Sequence, residues 1–405
     1  MASALLDLFS SFGSCLSCFS SSPQLKINNK SFKILRLLGE GGFSYVYLVQ
    51  DSSSQALYAL KKIRCPFGQE SVALALKEVE AYSLFTPHPN IIHSIDHSVA
   101  SDRSDPGAKT VYILLPYYRR GNLQDMINAN LVNHTKFPEK RLMLLFLGVC
   151  KALKSMHQYR VKGPPGGAAS QNRAKKVRAE AAKADAEAAD AAEARRDQES
   201  NQDDVENQPL MDDEVTISQQ GIAPGGERAY AHRDIKPGNI MIDDDGRTPI
   251  LMDLGSIAPA PTSITSRSQA IAVQDQAAEH STMPYRAPEL FDVKTGSVID
   301  TKVDIWSMGC TLYACLVGKS PFEARSEETG GSLSLCVLGG DWRFPDEAPQ
   351  RGKQKVAQDS TISDGVKNIV RHCLKVEPSE RPDVDELIQL VEEVIPTLPE
   401  DGGED

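Results

Sequence analysis

Between Val161 and Ala229 the chain carries neither an aromatic residue nor a cysteine, and Ala, Glu, Asp, Lys, Gln and Gly dominate it. Such a stretch offers too little apolar surface to offset the entropy of fixing its backbone. Residues 160–229 are therefore expected to be a disordered low-complexity insertion, within which Ala174 to Arg196 has the composition of a solvated single helix. Whatever the chain folds into has to be assembled from the two blocks on either side. The first runs from Phe32 to about Gln158, with strand-like alternation in Phe32-Lys33-Ile34-Leu35 and Tyr45-Val46-Tyr47-Leu48-Val49. The second runs from Tyr230 to about Val394, and an acidic tail over residues 395–405 follows.

Composition narrows what those blocks can do. A formal charge of -11 with 6% aromatic residues argues against a general nucleic-acid binder, whose footprint is basic. An anionic ligand therefore needs a local site. The 8 cysteines are dispersed, without the dense spacing of a secreted disulfide framework, which suits a reducing compartment. No run reaches the roughly 18 apolar residues of a spanning helix. The leader carries Asp7 where a secretory signal would be positively charged.

The first chemical signal is Gly39-Glu40-Gly41-Gly42-Phe43-Ser44-Tyr45-Val46, set between two strand patterns. Glycines there let a hairpin bring backbone N–H groups close to a polyphosphate, although Ser44 stands where the third glycine of the usual pattern falls. An ordinary Gly-rich turn accounts for this stretch equally well. Next comes Tyr58-Ala59-Leu60-Lys61, a strand ending in a lysine that needs an anion. Phosphate oxygens supply one, and a glutamate on the helical pattern Val72 to Phe85 can hold the ammonium from the other side. Glu78 and Glu80 compete for that part, with Glu78 preferred by its distance from the Leu84-Phe85 to Pro89-Asn90 landmark.

The strongest signal follows the insertion: His232-Arg233-Asp234-Ile235-Lys236-Pro237-Gly238-Asn239, then Asp253-Leu254-Gly255, then Ala287-Pro288-Glu289. This order suits phosphoryl transfer from ATP, a reaction governed by position and charge. Asp234 is expected to accept or aim the substrate hydroxyl's proton, and Lys236 to neutralise the moving phosphoryl group. Asn239 and Asp253 supply the oxygen ligands that Mg2+ prefers.

Over nearly all of Phe32 to Val394 apart from the insertion, the chain resembles the eukaryotic protein kinases. The resemblance implies an α+β, bilobal protein kinase fold, with a β-rich small lobe at 32–115, a hinge at 116–121 and a helical large lobe at 122–394. It makes Asp304 in Val303-Asp304-Ile305-Trp306-Ser307-Met308-Gly309 the anchor of the catalytic loop, and Arg381 the partner of Glu289. The stretches Leu114-Leu115-Pro116-Tyr117-Tyr118-Arg119-Arg120-Gly121, Leu251-Met252-Asp253-Leu254-Gly255-Ser256 and Tyr285-Arg286-Ala287-Pro288-Glu289-Leu290-Phe291 look like the small lipid-anchored branch of the Numb-associated kinases, active at Golgi and vacuolar membranes. By that likeness Leu115 is the gatekeeper, Pro116 and Tyr118 read adenine through backbone groups, and Leu38, Val46, Ala59 and Met241 sandwich the base. Leu254 replaces a common Phe as an apolar plug. Lys236 two residues after the base, and Thr282, favour protein Ser and Thr hydroxyls as acceptors. The competing readings are a silent kinase-fold scaffold and a small-molecule kinase. Asp234, Asn239, Asp253 and Lys61 are all present, which argues against the first, and the Ala287-Pro288-Glu289 segment argues against the second.

Two control features remain. In the leader, assigned to residues 1–31, Leu5, Phe9, Phe12, Leu16 and Phe19 make one stripe at helical spacing, flanked by Cys15 and Cys18. This favours S-palmitoylation and attachment to a membrane, and the resemblance implies the cytosolic face of an internal membrane, Golgi or vacuole, with part of the protein cytoplasmic. Myristoylation is excluded by Ala2, and the alternatives are a disordered leader or half of a zinc site. In the activation segment, Arg233 could receive a phosphate placed on Thr262, Ser263, Thr265, Ser266, Ser268 or Ser281, or Ala270 to His280 could form an extra helix that needs none.

Overall fold

The computed structural model describes residues 24–66, 69–101, 108–160, 226–347 and 362–400. Cys15 and Cys18, nearly all of the insertion and residues 401–405 lie outside the described residues. The chain divides into two units, Met1–Val79 with His93–Tyr117, and Glu80–Ile92 with Tyr118–Asp405.

The first unit is built on one antiparallel sheet. Its strands are β1 (Gln24–Ile27), β2 (Lys30–Glu40), β3 (Ser44–Asp51), β4 (Leu57–Cys65), β5 (Asp96–Ser101) and β6 (Lys109–Pro116), in the order β1-β2-β3-β4-β6-β5. The alternation at Phe32 and Tyr45 falls within β2 and β3. Its apolar side is Ile27, Phe32, Val49, Leu60 and Leu114, with Leu25, Ile34, Tyr47, Tyr58 and Tyr112 packed around them. Each such side chain, fully buried, contributes about 1.5–3 kcal/mol relative to exposure. Residues 24–31, placed in the leader on sequence grounds, belong instead to this sheet: Leu25 pairs with Phe32 and Ile27 with Lys30. A turn at Asn28-Asn29, with Asn28 at φ 50, joins the two strands. Helix α1 (Gln69–Leu84) follows β4, and the division between the units falls within it.

The second unit is mainly helical. Helices α2 (Leu123–Asn133) and α3 (Glu139–His157) precede short hairpin strands, of which β7 is Ala229–Ala231, β8 Ile240–Ile242 and β9 Pro249–Leu251. Next come β10 (Ala258–Ala260), β11 (Thr262–Ser263), α4 (Arg267–His280) and β12 (Val298–Ile299). The rest is α5 (Lys302–Val317), α6 (Pro321–Thr329), α7 (Leu333–Gly339), α8 (Asp364–Cys373) and α9 (Val384–Val394). Apolar residues surround α5, which is buried from Val303 to Cys315. That is the signature of a helix at the centre of a core rather than on its surface. Trp306 stacks on Phe322 with ring centroids 5.2 Å apart. A side chain at Gly309 would put a Cβ 2.6 Å from the Cβ of Cys373, so this position admits only glycine where α5 meets α8.

The ends of the insertion meet at the edge of this unit. Arg160 and Glu227 form an antiparallel bridge, their side chains pair at 2.8 Å, and the Arg228 N–H donates to the Tyr159 carbonyl at 2.8 Å. Behind them Phe85, Tyr159 and Tyr230 stand edge to face, with centroids 5.4 to 5.7 Å apart. The described flanks of the insertion thus meet at one point, directly before His232-Arg233-Asp234. The cysteines Cys65, Cys150, Cys310, Cys315, Cys336 and Cys373 are free and buried. Among the described residues no helix is long and apolar enough to cross a membrane.

Candidate active site

On the first unit, β2 and β3 carry the glycine-rich turn. Gly39 pairs with Val46 and Glu40 with Tyr45, the Gly41 N–H donates to the Ser44 carbonyl at 2.8 Å, and Phe43 is exposed at the tip. A Cβ placed on Gly39 or Gly42 would meet no atom within 4 Å, so the backbone is bare and approachable there. On β4, Ala59 lies opposite Leu48 and Leu115, and Lys61 opposite Val46 and Ile113. The Lys61 Nζ sits 2.7 and 2.9 Å from the two carboxylate oxygens of Glu78, which is buried. Tertiary packing thus pairs Lys61 with Glu78, while Glu80 falls in the second unit. Leu38 and Pro116 are half-buried on β2 and β6.

On the second unit the residues expected to form the catalytic loop converge on one carboxylate. The Asp234 Oδ1 accepts from the Thr282 N–H at 2.8 Å and its hydroxyl at 2.7 Å. The Oδ2 accepts from the Lys236 Nζ at 2.8 Å and the Asn239 Nδ2 at 3.0 Å. Lys236 also donates to the Thr282 Oγ1 at 2.6 Å. Asp234 is buried, so these donors rather than water fix its orientation. The Asn239 amide nitrogen also donates to the Asp234 carbonyl at 2.8 Å, which commits both of its hydrogens and leaves Oδ1 as the atom able to meet a cation.

The strand pair β8 and β9 sets the spacing to Asp253. The Met252 N–H donates to the Asn239 carbonyl at 2.9 Å, so Asp253 follows one residue on, in a left-handed conformation at φ 60. One amide oxygen and one carboxylate make a hard oxygen donor set, the kind Mg2+ takes when phosphate oxygens complete its shell. Among the described residues no group of three or more His, Cys, Asp or Glu could hold a metal by itself. The same loop sets the tautomer of His232. Its Nε2 faces the Met252 carbonyl at 3.1 Å and so carries the proton, while Nδ1 accepts the Asp234 N–H at 3.2 Å.

The loop rests on Asp304 of α5, which is fully buried. Its Oδ2 accepts from the His232 N–H at 2.7 Å and faces the His157 Nε2 at 2.8 Å, and its Oδ1 accepts from the Arg233 N–H at 2.8 Å. Burial alone would raise the Asp304 carboxyl, but the His157 bond, the neighbouring imidazoles and the Arg233 N–H outweigh it and hold the group below the usual carboxylate range. No motif drew attention to His157. Its one sequence signal is a histidine closing the apolar helix α3.

Arg381, fully buried, grips Glu289 with two bonds of 2.7 and 2.8 Å. The activation segment does contain a helix, α4, longer than the expected Ala270 to His280 and N-capped by Ser266. Arg233 turns toward it, its Nη1 donating to the Gln276 Oε1 at 3.1 Å. The expected hydroxyls mostly have internal partners: Thr262 donates to the Pro259 carbonyl, Thr265 to Gln269 and Ser281 to the Ala277 carbonyl, and the Ser266 and Ser268 hydroxyls pair with each other. Leu254 is buried. Tyr118 is half-buried, and burial, followed by the charge of Asp243, pushes its phenol up to about 12. Met241 pairs with Ile250 and bridges to Asn122.

Residues 32–162 and 226–391 match the family described as the protein kinase domain, and the match breaks at the insertion. The chain is similar to the serine/threonine-protein kinase ENV7 of Saccharomyces cerevisiae, 34% identical over 97% of this chain and 100% of the relative. It is 36% identical to the serine/threonine-protein kinase ppk13 of Schizosaccharomyces pombe, over 90% of this chain and 91% of the relative. Serine/threonine-protein kinase 16 of Homo sapiens is 28% identical, over 94% and 96%.

Proposed function

The chain belongs to the eukaryotic serine/threonine protein kinases, and on that premise we propose that Asp234 is its catalytic base, with Lys236, Asn239, Asp253, Lys61 and Glu78 as the charge and metal apparatus around it. Its activity is ATP-dependent transfer of phosphate to protein Ser or Thr hydroxyls. The observation that carries the assignment is the Asp234 carboxylate, aimed by Thr282, Lys236 and Asn239 together. Asp234 takes the proton of the substrate hydroxyl as its oxygen bonds to the γ-phosphorus and the bond to ADP breaks. Lys236, already against that carboxylate, neutralises charge on the moving phosphoryl group. Mg2+, when bound by Asn239 and Asp253, offsets charge on the nucleotide's phosphates. On the first unit the bare backbone of Gly39 to Ser44 takes phosphate oxygens, and Glu78 keeps the Lys61 ammonium extended for them. Leu38, Val46, Ala59, Pro116, Tyr118 and Met241 are the proposed adenine contacts. Labelled ATP offered with a protein substrate tests this: wild type labels the protein and Asp253→Asn does not. Equal labelling by both would remove Asp253 from the mechanism.

The finer reading concerns place. Cys15 and Cys18 are proposed palmitoylation sites holding the kinase on the cytosolic face of a Golgi or vacuolar membrane, where it acts in trafficking. Support comes from the cysteine pair beside the Leu5, Phe9, Phe12, Leu16 and Phe19 stripe. Each buried acyl methylene adds about 0.8 kcal/mol of membrane affinity, so two chains suffice for stable attachment. Replacing both cysteines with Ser should move the kinase from the membrane fraction to the soluble one. Unchanged fractionation would refute the tether and leave the catalytic reading untouched.

A further inference from the structure

The guanidinium of Arg233 is buried, and among the described residues its Nε has no hydrogen-bond partner. The charge of Asp304 favours the cation, but both Asp304 oxygens are engaged with the backbone N–H groups of His232 and Arg233 and with His157. Burial outweighs that charge and pulls the guanidinium's proton affinity below its ordinary value. Among the described residues the one side-chain bond that Arg233 makes runs to the amide oxygen of Gln276, a solvent-exposed residue of α4. A buried cation resting on one neutral acceptor is poorly compensated, so its position depends heavily on that acceptor. Arg233 also has φ 70, a left-handed conformation that costs a residue with a Cβ and persists only when its surroundings enforce it.

Helix α4 is itself tied to segments on either side of it in the chain. The carbonyl of His280, its last residue, accepts from the Ser256 hydroxyl at 2.7 Å, three residues beyond Asp253. Arg286 grips the same end, donating from Nε to the Ser281 Oγ at 2.7 Å and from Nη2 to the Ser281 carbonyl at 2.8 Å. Gln274 accepts from the Val293 N–H at 3.2 Å. The helix is therefore a fixed support, and Gln276 is where it reaches the residue next to the catalytic base.

We propose that Gln276 is a positioning residue for phosphoryl transfer, acting through its bond to the Arg233 guanidinium to keep the Arg233 backbone, and with it the Asp234 carboxylate, in the reactive orientation. Without the amide oxygen the buried cation shifts toward water and the left-handed turn before Asp234 relaxes. Nucleotide binding, which does not involve Gln276, is unaffected. The proposal rests on the reading of Asp234 as the base, which Asp234→Asn tests separately by abolishing transfer.

Steady-state kinetics on the full chain, with thermal melting alongside, decide the matter. Gln276→Leu keeps the volume and removes the acceptor. It should lower kcat about tenfold, the size of one lost hydrogen bond to a charged group, with KM for ATP unchanged and the melting midpoint lowered by about a few degrees only. Gln276→Glu restores an acceptor and adds the missing counter-charge, and should return kcat to the wild-type value or above. The idea is overturned if Gln276→Leu keeps wild-type kcat, or if its loss of kcat follows a lowered midpoint and is not restored by Gln276→Glu.

Discussion

Replacing Asp304 with Ala should damage this enzyme more than any comparable change away from the reacting atoms. The side chain is fully buried and accepts from the N–H groups of His232 and Arg233 while meeting His157. Truncation strands two backbone donors and an imidazole in the core. A buried donor left without an acceptor costs about 1–3 kcal/mol, and losing one member of a buried ionic set about 3–5 kcal/mol. Asp304→Ala is therefore expected to lower unfolding free energy by about 3–5 kcal/mol, a large share of the roughly 5–15 kcal/mol typical of a domain. Urea unfolding followed by tryptophan fluorescence is suited to the measurement, because buried Trp306 lies on the same helix. The pH dependence carries the same information with its own sign. A carboxyl held below its ordinary value in the folded state stabilises fully above the unfolded value near 4. That contribution is lost as pH falls through the folded value. Wild type should lose this stability below about pH 4, and Asp304→Ala should lack that part of the acid sensitivity. A variant within about 0.5 kcal/mol of wild type, with kcat intact, would refute the view that Asp304 holds the catalytic loop.

Other expected outcomes are independent of this one. Glu78→Gln removes the charge facing Lys61 in a largely buried pair, and kcat/KM for ATP should fall about tenfold or more; an unchanged value would exclude the pair from nucleotide handling. Because Arg160 and Glu227 are bridge partners, residues 163–225 can be replaced by about four Gly and Ser residues. On the composition-based expectation of a disordered insertion, this replacement should leave kcat unchanged and raise stability by about 2 kcal/mol, since each halving of a flexible loop returns about 0.6 kcal/mol of closure entropy and roughly three to four halvings are made; unfolding of the shortened chain would contradict this. Cys150, Cys310, Cys315 and Cys373 have thiols pushed up by burial, to about 12 for Cys315 and Cys373. They should resist a thiol reagent in the native protein and react on unfolding, and rapid native labelling at any of them would show that this core opens.

Local chemistry was legible in the sequence where it is contiguous. Asp234, Lys236 and Asn239 lie within one loop, and the short β8 and β9 strands carry the spacing to Asp253. The period-two pattern around Phe32 and Tyr45 reports one face of a sheet, as the burial of Phe32 and Val49 shows. Strand β1 escaped notice because its four residues contain only two apolar ones, Leu25 and Ile27, and their value lies in covering Phe32 across the hairpin. The choice between Glu78 and Glu80 needed tertiary information, since both are polar residues on one helix and only packing against β4 separates them. Gln276 had no signal at all. It is an exposed glutamine in a helix, and its significance comes from a buried arginine more than forty positions earlier in the chain.

The most direct test of the central claim is phosphoamino-acid analysis of a mixed protein substrate after incubation with labelled ATP and either wild-type enzyme or Asp234→Asn. The account expects wild type to yield phosphoserine and phosphothreonine, and the Asp234→Asn protein, folded to the same melting midpoint, to yield neither. Label found mainly on tyrosine, or equal labelling by the two proteins, would contradict it.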